Sequence, residues 1–225
     1  MKALRNSLII LAMLAGLLVA GNAWATVYTF DVTSGQGPIA TFPAPYATVT
    51  IDLSQTTALV TITAAPYTGG MYLLGSVGFN LADTNATVSN ISVPNYSKTS
   101  MGFGSYGTMN FTLSNGGSNG SLSTAVQSIS FTISDPNANW TQLSDLLVTD
   151  NYGYFFAGRM IISNSARTSI IAQNWFGNAS GMNISDIQSK GGPEPSQVPE
   201  PSTFFLLGGG ILAGLAAYRR NRRNV

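Results

Sequence analysis

The chain of 225 residues contains no cysteine and no histidine, and only 8% of its residues are charged. Without cysteine no disulfide can staple the fold, so stability must come from a packed core. Without histidine the Ser-His-Asp triad is excluded, and without either residue so are the Cys-His pair and the ordinary zinc site. Glutamate is nearly absent. Glu194 and Glu200 both lie near the C-terminus, so paired-carboxylate glycoside hydrolysis would have to run on scattered aspartates. No S-x-x-K motif occurs. Long apolar runs are confined to the two ends of the chain.

Between those ends the bases are Lys98, Arg159, Arg167 and Lys190. The acids are Asp31, Asp52, Asp83, Asp135, Asp145, Asp150, Asp186 and Glu194, which leaves a net charge of −4. A charge-poor, weakly acidic body is unsuited to nucleic acid or anionic lipid.

What fills this body is Gly, Ser, Thr and Asn, broken by short apolar alternations. Tyr28, Phe30 and Val32 open the series, followed by Val49, Ile51 and Leu53, and then by Val60, Ile62 and Ala64. Met109, Phe111 and Leu113, and then Ile129, Phe131 and Ile133, continue it. A period of two with one Thr/Ser/Asn face predicts half-buried strands of an antiparallel sheet. Turn-forming clusters at 66–70, 104–107 and 115–120 punctuate the strands. Eight to ten strands with little helix predict an all-β fold, an antiparallel β-sandwich or jelly roll.

Two segments depart from this pattern. In 139–147 the apolar residues Trp140, Leu143, Leu146 and Leu147 fall at helical spacing, which predicts a short helix capped by Asn139 or Thr141. The run 154–162 is apolar on both faces, which predicts a central strand. Arg159 within it, if buried, needs a partner such as Asp145 or Asp150.

Two motif matches fail on context. Residues 102–107, GFGSYG, fit G-x-G-x-x-G, but a strand-like segment follows where the dinucleotide motif requires a helix, so this is a glycine loop. Asp135, Asn137 and Asn139 begin like a calcium loop, yet the sixth and twelfth positions are Trp140 and Leu146 instead of Gly and Glu. No metal or cofactor is expected. Eight N-x-S/T sequences, at Asn85, Asn90, Asn95, Asn110, Asn119, Asn139, Asn178 and Asn183, follow from the Asn/Ser/Thr-rich composition.

The ends are targeting segments. Lys2 and Arg5, an apolar stretch at 8–20 and the small residues Ala23 and Ala25 around Trp24 make a signal peptide of residues 1–25, to be removed by signal peptidase. The domain then spans 26–187, a Pro/Gly/Ser-rich linker 188–202, and a membrane helix with a basic tail 203–225. In the tail, Pro199 and Pro201 hold Val198-Pro199-Glu200-Pro201 extended and strip two donors from its backbone. The uncharged run 204–218 is 15 residues, about 22 Å of helix, short of the roughly 20 residues that usually span a bilayer. Arg219, Arg220, Arg222 and Arg223 follow, and by the positive-inside rule hold the C-terminus in the cytoplasm.

This order of parts resembles the PEP-CTERM sorting signal of exosortase substrates, a region also named the ice-binding protein C-terminal domain. The resemblance implies recognition by exosortase at Val198, Pro199, Glu200 and Pro201, with Arg219, Arg220, Arg222 and Arg223 as the stop. It implies export through the inner membrane, a transient anchor, and release to the cell surface or extracellular matrix. The stretch from Tyr46 through Gly69 and Gly70 to Leu81, with 154–157, is similar to ectodomains common among PEP-CTERM proteins, and no activity follows from that. The expected role is that of a non-enzymatic surface or matrix protein in contact with exopolysaccharide, with Trp140, Trp175, Tyr106 and Tyr154 as candidate sugar-stacking rings. The alternatives are a carbohydrate-active enzyme using Asp carboxylates, or an ice-binding protein. For ice, the Thr48/Thr50 and Thr61/Thr63 pairs lack the fixed repeat period of a solenoid.

Overall fold

A computed structural model describes residues 25–115 and 121–190. The alternating runs become strands with their apolar residues turned into the core between the sheets, except Met109, which packs with Phe103 and Tyr106 on the other face of its sheet. They are β1 (Thr26–Val32), β3 (Ala47–Leu53), β4 (Thr57–Ala64), β8 (Thr108–Ser114) and β9 (Ser128–Ser134). In β3 burial follows the sequence alternation residue by residue, with Val49, Ile51 and Leu53 inside and Thr48, Thr50 and Asp52 toward water. Two longer apolar strands, β5 (Met71–Phe79) and β10 (Phe156–Ser163), are buried on both faces. Five more strands complete the fold: β2 (Ser34–Gly35), β6 (Thr87–Ser89), β7 (Ser97–Gly102), β11 (Ile170–Gly177) and β12 (Ser189–Lys190).

The strands form two six-stranded sheets in the orders β12-β1-β3-β4-β9-β6 and β2-β11-β10-β5-β8-β7. Every strand pair among the described residues is antiparallel. The all-β, antiparallel expectation therefore holds. The sheets face each other across one core whose ring pairs cross the gap. Phe30 of β1 meets Phe156 of β10 at 6.2 Å between centroids, and Phe131 of β9 meets Phe111 of β8 at 5.5 Å and Phe79 of β5 at 6.3 Å. Such offset and edge-on pairs add to the area that the rings bury.

As its doubly apolar pattern predicts, β10 lies inside its sheet, between β11 and β5. The residues on its second face are covered by smaller clusters. One is Phe103, Tyr106, Met109 and Ala157, and the other is Leu73, Ala125 and Ile161. The helix α1 (Leu143–Leu146) is a single turn, with Trp140, Leu143, Leu146 and Leu147 all buried. Its N-cap is Gln142, not Asn139 or Thr141. The Asp145 carboxylate fixes that choice by accepting the backbone N–H of both Thr141 and Gln142, at 2.8 and 3.1 Å.

β12 lies inside the stretch assigned by composition to the linker. Ser189 and Lys190 pair with Tyr28 and Val27 of β1. No helix among the described residues is long and apolar enough to cross a membrane. The expected signal peptide up to Trp24 and the expected membrane helix at 203–225 lie outside the described residues.

Candidate functional site

The chain leaves the first sheet at Val32 and joins the edge of the second through β2, whose Ser34 and Gly35 pair with Gly177 and Phe176 of β11. This handover brings three loops together at one end of the β11/β10/β5/β8 sheet. Gln36 donates its backbone N–H to Trp175 O at 3.0 Å, and its side-chain amide donates to Ser105 Oγ.

Ser105 belongs to the glycine loop, which makes a single 3-10 turn over Gly104–Tyr106 closed by Phe103 N–H to Gly107 O at 2.8 Å. Two buried rings anchor the turn. Phe103 sits edge-on to Trp175 at 5.5 Å, and Tyr106 sits edge-on to Tyr154 at 4.8 Å while its hydroxyl donates to Ser34 Oγ at 2.8 Å. Burial pushes the Tyr106 hydroxyl up to about 12.

Both bracketing glycines are required. Gly104 has φ +60° and a Cβ there would meet Trp175 Cδ1 at 2.6 Å. Gly107 has φ +80° and its Cβ would run into Asp150 Oδ2. Asp150 organises the third loop. Its Oδ1 accepts the backbone N–H of Tyr152 and of Tyr154, each at 2.9 Å, and Asp150 N–H donates to Tyr154 O at 2.8 Å. The other carboxylate oxygen, Oδ2, is turned inward, buried and without a hydrogen-bond partner.

The face that results carries Tyr152, 69% exposed, the exposed Gly104 and Ser105, and the half-buried Trp175 and Tyr154. Arg159 lies beneath it, 8% exposed, with its guanidinium 5.2 Å from the Trp175 ring centroid. Desolvation lowers the Arg159 pKa from its ordinary value. The expected acid partners of Arg159 are engaged elsewhere, Asp145 at its helix cap and Asp150 in its own loop.

Of the four rings proposed from sequence as sugar platforms, Trp140 and Tyr106 are core residues, 5% and 1% exposed. Trp175 and Tyr154 reach the surface in part. Tyr152 went unmarked in the sequence. The one hint was its place in the turn-forming Asp-Asn-Tyr-Gly sequence at 150–153, which puts an aromatic on a loop tip.

The wet face of the other sheet carries rows of hydroxyls. Cross-strand register lines up Thr29, Thr50, Thr61 and Ser130, and beside them Asp31, Thr48, Thr63 and Ser128. Part of the second row bonds to itself, Thr48 Oγ1 to Asp31 Oδ1 at 2.8 Å and Thr63 Oγ1 with Ser128 Oγ at 3.2 Å. Adjacent strands turn by about 20–25° relative to one another, so four of them do not present a flat lattice.

Among the carboxylates, the side chains of Asp83 and Asp135 interact. Asp83 is held below the usual carboxylate range by the Asn85 backbone N–H first and by the Asp135 side chain second. No group of three potential Asp or Glu metal ligands occurs among the described residues. Asn178, one of the eight N-x-S/T asparagines, is fully buried and accepts the backbone N–H of Phe155 and Phe156 at 3.1 and 3.0 Å.

Ala25 is exposed immediately before β1, at the expected signal-peptide boundary. The other sorting residues, Ala23, Val198, Pro199, Glu200, Pro201, Arg219, Arg220, Arg222 and Arg223, lie outside the described residues. Residues 197–223 match the family model of the PEP-CTERM protein-sorting motif. The chain carries a PEP-CTERM sorting signal. That motif implies export, processing by exosortase and sorting to the surface. No curated protein and no solved structure matches the chain.

Proposed function

We propose that this PEP-CTERM protein is a non-enzymatic component of the cell surface or extracellular matrix, its β-sandwich ectodomain held among exopolysaccharide chains. The observation that carries the reading is the sorting motif at 197–223 following a domain that is charge-poor and free of cysteine and histidine. The tail acts as a transient anchor: the short apolar run stops in the membrane, the arginines hold it there, and exosortase releases the body at the Val198–Pro201 element. The ectodomain lacks the histidine and cysteine of the common nucleophilic and zinc mechanisms.

Mass spectrometry of cell-associated and released forms tests the sorting step. The released species is expected to begin at Thr26 and to lack Arg219, Arg220, Arg222 and Arg223. A released species that retains those arginines overturns the reading. Retention by the matrix is tested with the same material. The released protein should co-sediment with exopolysaccharide without shortening it, and chain shortening lost in an Asp83→Asn or Asp135→Asn variant would establish the enzymatic alternative.

A further inference from the structure

We infer that the loop end built by Gln36, Gly104, Ser105, Tyr152 and Trp175 is a binding site for a neutral polysaccharide. This rests on the matrix reading above and specifies the site and chemical class of its ligand.

The site has a shape that only its glycines permit. Gly104 packs directly against Trp175, and Gly107 against the Asp150–Tyr154 loop that carries Tyr152, so bare backbone runs between two aromatic side chains. A side chain at Gly104 would collide with Trp175, and one at Gly107 with Asp150. The ring of Tyr152 stands 69% in solvent. Exposed apolar surface that is clustered marks an interaction site, and this ring lies against Gly107 of the loop that also packs on Trp175. Its backbone is preorganised by two N–H bonds to Asp150 Oδ1, both 2.9 Å, so ordering the loop adds little to the cost of binding. A pyranose ring offers an apolar C–H face to such a side chain and hydroxyls at its rim. The rim here is supplied by hydroxyl and amide groups: Ser105 Oγ, which already accepts from the Gln36 amide, and that amide's own oxygen.

Charge selects the class. The one acid in these loops, Asp150, keeps its free oxygen buried, and the one base, Arg159, lies under Trp175 at 8% exposure. The presented surface is therefore uncharged, on a body whose net charge of −4 repels polyuronates. Neutral hexose polymers fit both facts.

The test is affinity electrophoresis of the released protein through gels containing neutral gluco-, galacto- and mannans, with alginate as the acidic comparison. Retardation by at least one neutral polymer is expected, nearly independent of salt. Tyr152→Ala should weaken it at least tenfold, while Tyr152→Phe, which keeps the ring, should stay within about threefold. An unchanged melting temperature for Tyr152→Ala shows that the fold is intact, as its exposure predicts. Retardation of Tyr152→Ala equal to the parent overturns the site and leaves the matrix reading standing. Retention by alginate alone, abolished by salt, overturns the neutral class. A protein that co-sediments with its own matrix but is retarded by no neutral polymer refutes the site, whereas one that does not associate with the matrix refutes the broader reading.

Discussion

Replacing Gly107 by alanine tests how the glycine loop is held, and its neighbours supply the controls. Gly107 has φ +80° and ψ −163°, a region in which a residue with a Cβ is strained by about 1–3 kcal/mol. The new methyl would also press on Asp150 Oδ2, a buried oxygen in a loop fixed by four hydrogen bonds from backbone N–H groups, which adds about 1–2 kcal/mol of overpacking. Gly153 separates the two costs. It has φ +84°, but nothing lies within 4 Å of a Cβ placed there, so Gly153→Ala carries backbone strain alone, about 1–2 kcal/mol. Gly102, where an added Cβ would sit an ordinary 3.6 Å from Thr108 Oγ1 with no left-handed φ, should cost almost nothing. In urea titrations followed by tryptophan fluorescence, with m near 2 kcal/mol/M, the midpoints should fall by roughly 1–2.5 M, 0.5–1 M and under 0.3 M respectively. A Gly107→Ala midpoint no lower than that of Gly153→Ala would refute the close approach of the two loops. The glycines would then be ordinary turn residues.

Asp145→Asn should destabilise the domain by up to about 1 kcal/mol near neutral pH, because the carboxylate caps the Thr141 and Gln142 N–H groups. The Asp145 carboxyl is held low by the Thr141 backbone N–H above all, so its contribution is present above about pH 4 and lost as the pH falls through its folded value. Parent and variant should therefore converge in acid, and a gap in melting temperature that persisted there would refute the capping role. At the other extreme, burial pushes the hydroxyls of Tyr72, Tyr96 and Tyr106 up to about 12. The stability these groups contribute is full below pH 10 and is lost as the pH rises through about 12, so alkaline unfolding should coincide with tyrosinate formation. With no histidine or cysteine, the melting temperature should be level from about pH 6 to 8, and a step in that window would refute this account.

The parts of this fold that were legible in the sequence are those in which one residue's environment follows from its near neighbours. Strands β1, β3, β4 and β9 announced themselves because burial on one face imposes a period of two. Segment β10 stood out for the opposite reason, since covering both faces removes the period. The two-residue strands β2 and β12 and the three-residue β6 left no such trace, because a short polar stretch is made a strand only by the edge it meets. Register between distant strands is equally hidden. Thr61 lies opposite Thr50 through a local hairpin, but opposite Ser130 only because β9 returns to pair with β4 after four intervening strands, three of them in the other sheet.

The candidate site belongs to that second kind. Its glycines were visible as a loop, and Trp175 and Tyr154 as aromatics, yet their meeting depends on β2 crossing from one sheet to the other at Ser34. Nothing local to residues 102–107 requires Trp175 on one side and Tyr152 on the other. The sorting tail stands at the opposite limit. Its order of a Pro-Glu-Pro, a short apolar run and an arginine cluster is legible without a fold because the sorting motif is a run of consecutive residues. Destination is therefore written in consecutive residues and recognition in residues far apart. That is why the sequence alone placed the protein at the surface but did not single out Tyr152, the most exposed ring among the described residues.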